Sequence, residues 1–237
     1  MTSLLAWHGC RANGTTRYLK VKEIVGVKTL LAGDVELCKN ALHGSLRAVD
    51  MLRHSEGLWI KRTLHEGTIL HDADKIGSSE RTVVAETDAT QVVVDWAFWC
   101  ADRAVRIHAV AALRQAGMDT EAERLAGLEA ITDKMSALTA YYAAANALYA
   151  VDNAGNTNIT AHAAIYAASN AAAAAANVYA AAVYAVYAAA AAANAAIAAS
   201  NTACAAANEA DEMEFLNAEL ERRLLALMGL TETEVTQ

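Results

Sequence analysis

Between Thr160 and Ala207 the chain runs for 48 residues that include 29 alanines and carry no formal charge. Alanine loses no side-chain entropy in a helix and is the best helix former, and the chain has no proline to interrupt one. The segment is therefore expected to be helical, with a seam built from small side chains. Ile165, Ser169, Ala172 and Ala176 open a series of alternating four- and three-residue steps that continues to Ala207, an a/d pattern that wants another helix against it. Carried on to Met228 without a glycine, one helix would be about 100 Å long, against about 45 Å for those before it. It either pairs with a second chain or folds back near Asn194 to Asn201. Pairing is the expectation, making the chain a homo-oligomer through residues 160–228. A second line of Tyr166, Asn170, Asn177, Tyr184, Tyr187, Asn194, Asn201 and Asn208 reads as polar-tipped residues that set register in a seam, rather than a ligand-facing or ice-facing ladder.

Forty-eight uncharged residues exceed the roughly 20 that span a bilayer. The recurring asparagines break the run, however, leaving only Val178 to Ala193 free of them, and no membrane partner is expected. Met1 to Arg11 lacks the basic start and apolar run of a signal peptide. Cys10, Cys38, Cys100 and Cys204 show no paired metal spacing; the expectation is reduced thiols in a cytoplasmic protein.

The hydrophobic fraction of 55% excludes a disordered chain. Formal charge is +3 over residues 1–85, −5 over 86–159 and −6 over 160–237. Only the first third could attract a phosphate-bearing ligand, and the acidic remainder would repel nucleic acid, so no nucleic-acid partner is expected.

Short apolar runs bounded by Gly, Asn, Asp or Ser predict strands at 4–7, 18–21, 25–27, 58–60, 68–70 and 81–85. A short helix from Ser45 to Leu52, capped by Ser45, interrupts them. Asp88 with Gln91 has capping-box spacing. Val93, Trp96, Cys100, Ala104, Ile107 and Ala111 then follow at helical intervals, and Leu128, Ile131, Met135, Leu138, Tyr142, Ala145 and Tyr149 form a further stripe ending near Asp152. The expected fold class is α+β: a small mixed unit over 1–87, an alanine-rich helical bundle or coiled coil over 88–230, and a disordered tail over 231–237.

Five of the seven histidines, and most basic residues, fall in the first third, which places any site there. A nucleophile, a base and an acid are present in Cys38 or Ser45, His43 and Asp72 or Asp74, although spacing does not assemble them. His43, His71 and Asp72 could ligate a metal, but no tight ligand pair supports one, and neither metal nor cofactor is expected. Anion binding fits better. Gly44 and Ser45 opening a helix would offer backbone N–H groups, with Lys61, Arg62, Lys75 and Arg81 completing a cradle; the alternative is turn charges paired in solvent. The ligand-binding set is thus His43, Gly44, Ser45, Lys61, Arg62, Lys75 and Arg81.

Leu37-Cys38, Leu42-His43-Gly44-Ser45, Asp50-Met51-Leu52, Asp74-Lys75 and Glu80-Arg81-Thr82 resemble the motif set of a widespread domain family of bacteriophage and prophage genomes, whose members often continue into alanine-rich helices. The resemblance covers roughly Trp7 to Val105. It differs at Gly44, where alanine is usual, a change that reads as conservative. It implies a phage accessory protein acting in the bacterial cytoplasm, with counter-defence one possible role. The basic first third, the helix-start site and the lack of a complete catalytic signature give its expected function: binding a small anionic ligand such as a nucleotide signal, or a host defence protein. The alternatives are an enzyme acting on a nucleotide or ADP-ribosyl substrate through His43, and a purely structural helical assembly protein.

Overall fold

In a computed structural model of the chain, residues 3–16, 22–153, 159–178 and 208–231 are described. The strand expected at 18–21, the seam from Tyr179 to Ala207, Cys204, and all but Thr231 of the expected disordered tail lie outside them. The chain forms two compact units, one of Met1–Val92 with Asn217–Gln237 and one of Val93–Leu216.

The first unit is built on a five-stranded antiparallel sheet: β1 (Leu4–Cys10), β2 (Lys28–Leu30), β3 (Leu42–Gly44), β4 (Trp59–His71) and β5 (Ile76–Asp88), with α1 (Ala48–His54) between β3 and β4. The order is β1-β4-β5-β2, and β3 also lies along β5. On its side away from β4, β5 pairs with β3 through Ile76, Gly77 and Ser78 and with β2 through Glu80, Arg81 and Thr82. The two runs predicted at 58–60 and 68–70 are the ends of one 13-residue strand. Their link was hidden because Lys61, Arg62, Thr63 and His65 are polar yet buried, which defeats an alternation argument.

A bulge completes the arrangement. Arg62 faces Ala85 and Thr63 faces Val83, so Val84 is the extra residue. It restores parity, so that Arg81, opposite His65, and Glu86, opposite Lys61, point to one face although they are five apart. That face carries the polar interior of the unit. Val84 is correspondingly exposed and Val83 buried.

The second unit contains most of α2 (Thr90–Arg103), a π-helical turn (Ala104–Ala109), α3 (Val110–Gln115), α4 (Asp119–Ala126), α5 (Lys134–Asn153), α6 (Ile159–Val178) and the first part of α7 (Asn208–Met228). Thr90 N–H donates to Asp88 Oδ1 at 2.9 Å as α2 begins. The helical stripe expected through Ile107 and Ala111 slips, because the π turn adds a residue. Val105, Ala109 and Ala112 are buried in their place, and Ile107 is exposed.

The expectation of a small mixed unit followed by a long bundle or coiled coil is corrected. The sheet spans much of the N-terminal half, and the described helices run from 6 to 21 residues. The seam residues Ile165, Ser169, Ala172 and Ala176 are buried, and α6 packs on α5 and the π turn of its own chain. Helix α5 turns Ala137, Ala140, Ala144, Ala147 and Val151 inward. Its expected core stripe is its outer face: Met135, Tyr142 and Tyr149 are all more than half exposed. Two alanine faces bring helix backbones close, and dispersion contacts between the backbones replace those that large side chains would make. Tyr166, Asn170 and Asn177 are exposed rather than in a seam. Among the described residues no helix is long and apolar enough to cross a membrane.

Candidate functional site

The polar face of the sheet is organised by ionic contacts that leave little free charge. His8, Lys61 and Glu86 form one rank across β1, β4 and β5. Lys61 is fully buried, with Nζ 3.5 Å from Glu23 and 3.4 Å from Glu86. Arg81 Nε and Nη2 donate to Glu23 Oε1 at 3.0 and 2.6 Å, and Nη1 donates to the His43 carbonyl at 2.6 Å. The segment carrying Glu23 is held along β5 by Gly26 N–H donating to the Val83 carbonyl at 2.9 Å. Buried charges need such pairing, because each has lost its hydration.

Beside this network lies a cavity of about 130 Å³. Of the residues expected to bind a ligand, His43, Gly44, Ser45, Lys75 and Arg81 line it, as does Cys38. Lys61 and Arg62 do not. Lys61 is committed to Glu23 and Glu86, and the Arg62 guanidinium sits over the Trp7 ring, 4.4 Å from its centroid. Asp72 is also outside the lining; half exposed, it is 3.6 Å from Lys75. Cys38 and His43 thus share a cavity among whose described lining residues none is Asp or Glu.

Three polar side chains of the lining fall outside the candidate sets: His8, Thr16 and His54. His54 Nε2 is 3.0 Å from Asp74 Oδ2. Thr16 is 4% exposed, and among the described residues its hydroxyl has no hydrogen-bond partner; His8 Nε2 is likewise buried without one. Buried polar atoms left unpaired are rare enough to call for an explanation. The histidine count of the first third pointed toward His8 and His54, whereas nothing in the sequence marks Thr16.

The helix-start anion site does not form. Helix α1 begins at Ala48, with Arg47 rather than Ser45 at its cap position and no side-chain cap bond from it. Ser45 N–H donates to the Trp7 carbonyl at 2.8 Å. Ala48 N–H donates to Glu221 Oε1 at 3.0 Å and Val49 N–H to Asn217 Oδ1 at 3.2 Å. The carboxylate and amide of α7 therefore satisfy the helix end themselves.

Burial holds the His8 ring well below the ordinary histidine range, and the nearby charges of Arg81 and Lys61 reinforce this. His43 is lowered by burial and then by Lys75 and Arg81. His65 falls to about 3, through burial first and Arg81 second. Its ring bridges Thr63 Oγ1 at 3.0 Å and Ser78 Oγ at 2.8 Å. His8, His43 and His65 are thus held toward the neutral form by burial and by the nearby cations.

Gly44 is required by that packing. A Cβ there would meet His65 Nε2 at 2.7 Å and Ala6 Cβ at 2.9 Å, so alanine is not the conservative exchange the sequence suggested. Gly44→Ala is expected to lower stability by about 1–3 kcal/mol, the cost of overpacking a filled interior. Urea denaturation checks this, and an unchanged midpoint would contradict the packing described.

No family model, curated protein or solved structure matches the chain.

Proposed function

We propose that the protein is a binding protein whose N-terminal unit takes a small anion, a phosphate or carboxylate group, into the cavity lined by His43, Lys75 and Arg81. The observation that carries this is the combination of cationic lining with the unpaired Thr16 hydroxyl and His8 Nε2. Two polar atoms without partners in a cationic cavity are the complement of a group with several acceptor oxygens. The bound group would gain Lys75 and Thr16 as donors, with His8 donating from Nε2 in the matching tautomer. Arg81 contributes its field, since Glu23 and the His43 carbonyl occupy its three donor nitrogens. A phage accessory role in the bacterial cytoplasm, suggested by the motif resemblance, belongs to this reading as its biological setting.

The test is thermal denaturation with inorganic phosphate, simple carboxylates and mononucleotides. A ligand at 100 times its dissociation constant stabilises by about 2.7 kcal/mol. At least one anion is expected to raise the Tm, and Lys75→Met should remove most of that shift. No shift with any anion up to millimolar concentration would overturn the reading.

A further inference from the structure

Cys38 stands at the tip of a tight turn in which Glu36 N–H donates to the Asn40 carbonyl at 2.7 Å and Asn40 N–H to the Glu36 carbonyl at 2.8 Å. Its φ is 68°, and among the described residues it is the one non-glycine in the left-handed region. A side chain is held there against a cost of about 1–2 kcal/mol. The thiol is exposed and lines the cavity together with Lys75 and Arg81. An exposed thiol in a cavity lined by cations is accessible to an anionic disulfide. Cys10 and Cys100, by contrast, are buried, and burial pushes the Cys10 thiol up to about 11.

We propose that Cys38 is a thiol-exchange site that takes one half of a small anionic disulfide, a disulfide whose substituents carry carboxylates, as a mixed disulfide. This rests on reading the cavity as an anion site. The independent pointer to a ligand is Thr16, buried and with its hydroxyl unpaired in the same cavity. In the exchange, the Cys38 proton goes to solvent and its sulfur attacks the nearer sulfur of the disulfide. The Cys38 S–S bond forms as the original S–S bond breaks. The departing sulfur keeps the electron pair and takes a proton from solvent, so Cys38 is oxidised as the other half is reduced to a thiol. Lys75 and Arg81 attract the carboxylates and bring the disulfide to Cys38.

The experiment uses the full chain carrying Cys204→Ser, treated at low salt with oxidised glutathione (anionic), bis(2-hydroxyethyl) disulfide (neutral) or cystamine (cationic). Adducts are counted by intact mass and located by peptide mapping. The expected result is a single adduct on Cys38, formed on the order of tenfold faster with the anionic than with the cationic reagent, with that ratio collapsing in Lys75→Met. Modification of Cys10 or Cys100 with Cys38 untouched would overturn the proposal, as would rates no faster than those of a free small thiol, or rates blind to reagent charge. Parallel phosphate titrations separate the two readings. A retained Tm shift with an inert Cys38 removes the exchange site alone, whereas loss of both the shift and the charge ordering removes the anion cavity as well.

Discussion

Replacing Arg81 by methionine is expected to destabilise the N-terminal unit by about 3–5 kcal/mol, the range seen when one partner of a buried ion pair is removed. The loss arises chiefly from what stays behind. Glu23 is 5% exposed and, among the described residues, would keep only Lys61, at 3.5 Å, as a counter-charge. The His43 carbonyl would also lose its 2.6 Å donor. Urea denaturation followed by tryptophan fluorescence measures the effect. The double variant Arg81→Met, Glu23→Gln should recover much of it, because the stranded charge is then gone. A single-variant loss below about 1 kcal/mol, the scale of an exposed pair, would show that water reaches this face and that the network is not the buried element described.

The stability of the same unit is expected to fall as pH drops from about 6.5 toward 5. His8 and His65 are both held below the ordinary value of 6.5 in the folded chain. Unfolded, they take up protons near 6.5; folded, they stay neutral until far lower pH, about 3 for His65. Their contribution is therefore fully present above 6.5 and is lost progressively below it. The slope is about 1.4 kcal/mol per pH unit for each histidine. The window from pH 6.5 to 5 lies above the ordinary range of carboxylates, so the histidines dominate it. Denaturant midpoints at pH 7.5, 6.5, 5.5 and 5.0 check this, and a level profile would mean that the rings protonate freely in the folded state. Phosphate in the cavity should flatten the slope, since a negative charge offsets the fields of Lys75 and Arg81 on His43 and His8.

The helical half of the chain was legible where local signals act alone. The start of α2 near Asp88 and the end of α5 near Asp152 follow from capping and period. The sheet was legible only at its apolar ends. Its middle is a polar interior, and the pairing of Glu23 with Arg81 spans 58 residues, a separation no window of sequence can read. The orientation of α5 was misread for a related reason. The stripe through Met135, Leu138, Tyr142 and Tyr149 follows the larger apolar side chains, but the alanine-faced neighbour α6 packs on the alanine side instead. At the site, the cluster from Cys38 to Ser45 and the basic residues Lys75 and Arg81 were visible as composition. That Lys61 and Arg62 are spent on other contacts depends on strand register, and the Thr16 hydroxyl depends on what lies across from it in space.

The wide turn at Ala104–Ala109 makes one position in the long helical run dispensable. Losing a residue there would let the turn tighten to ordinary winding, and Trp96 before it and Leu113 after it could both keep their inward aim. Losing a residue within α2 instead would swing Ala112 and Leu113, both buried, by roughly 100° about the axis and deliver them to solvent. Tolerance to length change is therefore concentrated in six residues that no feature of composition sets apart.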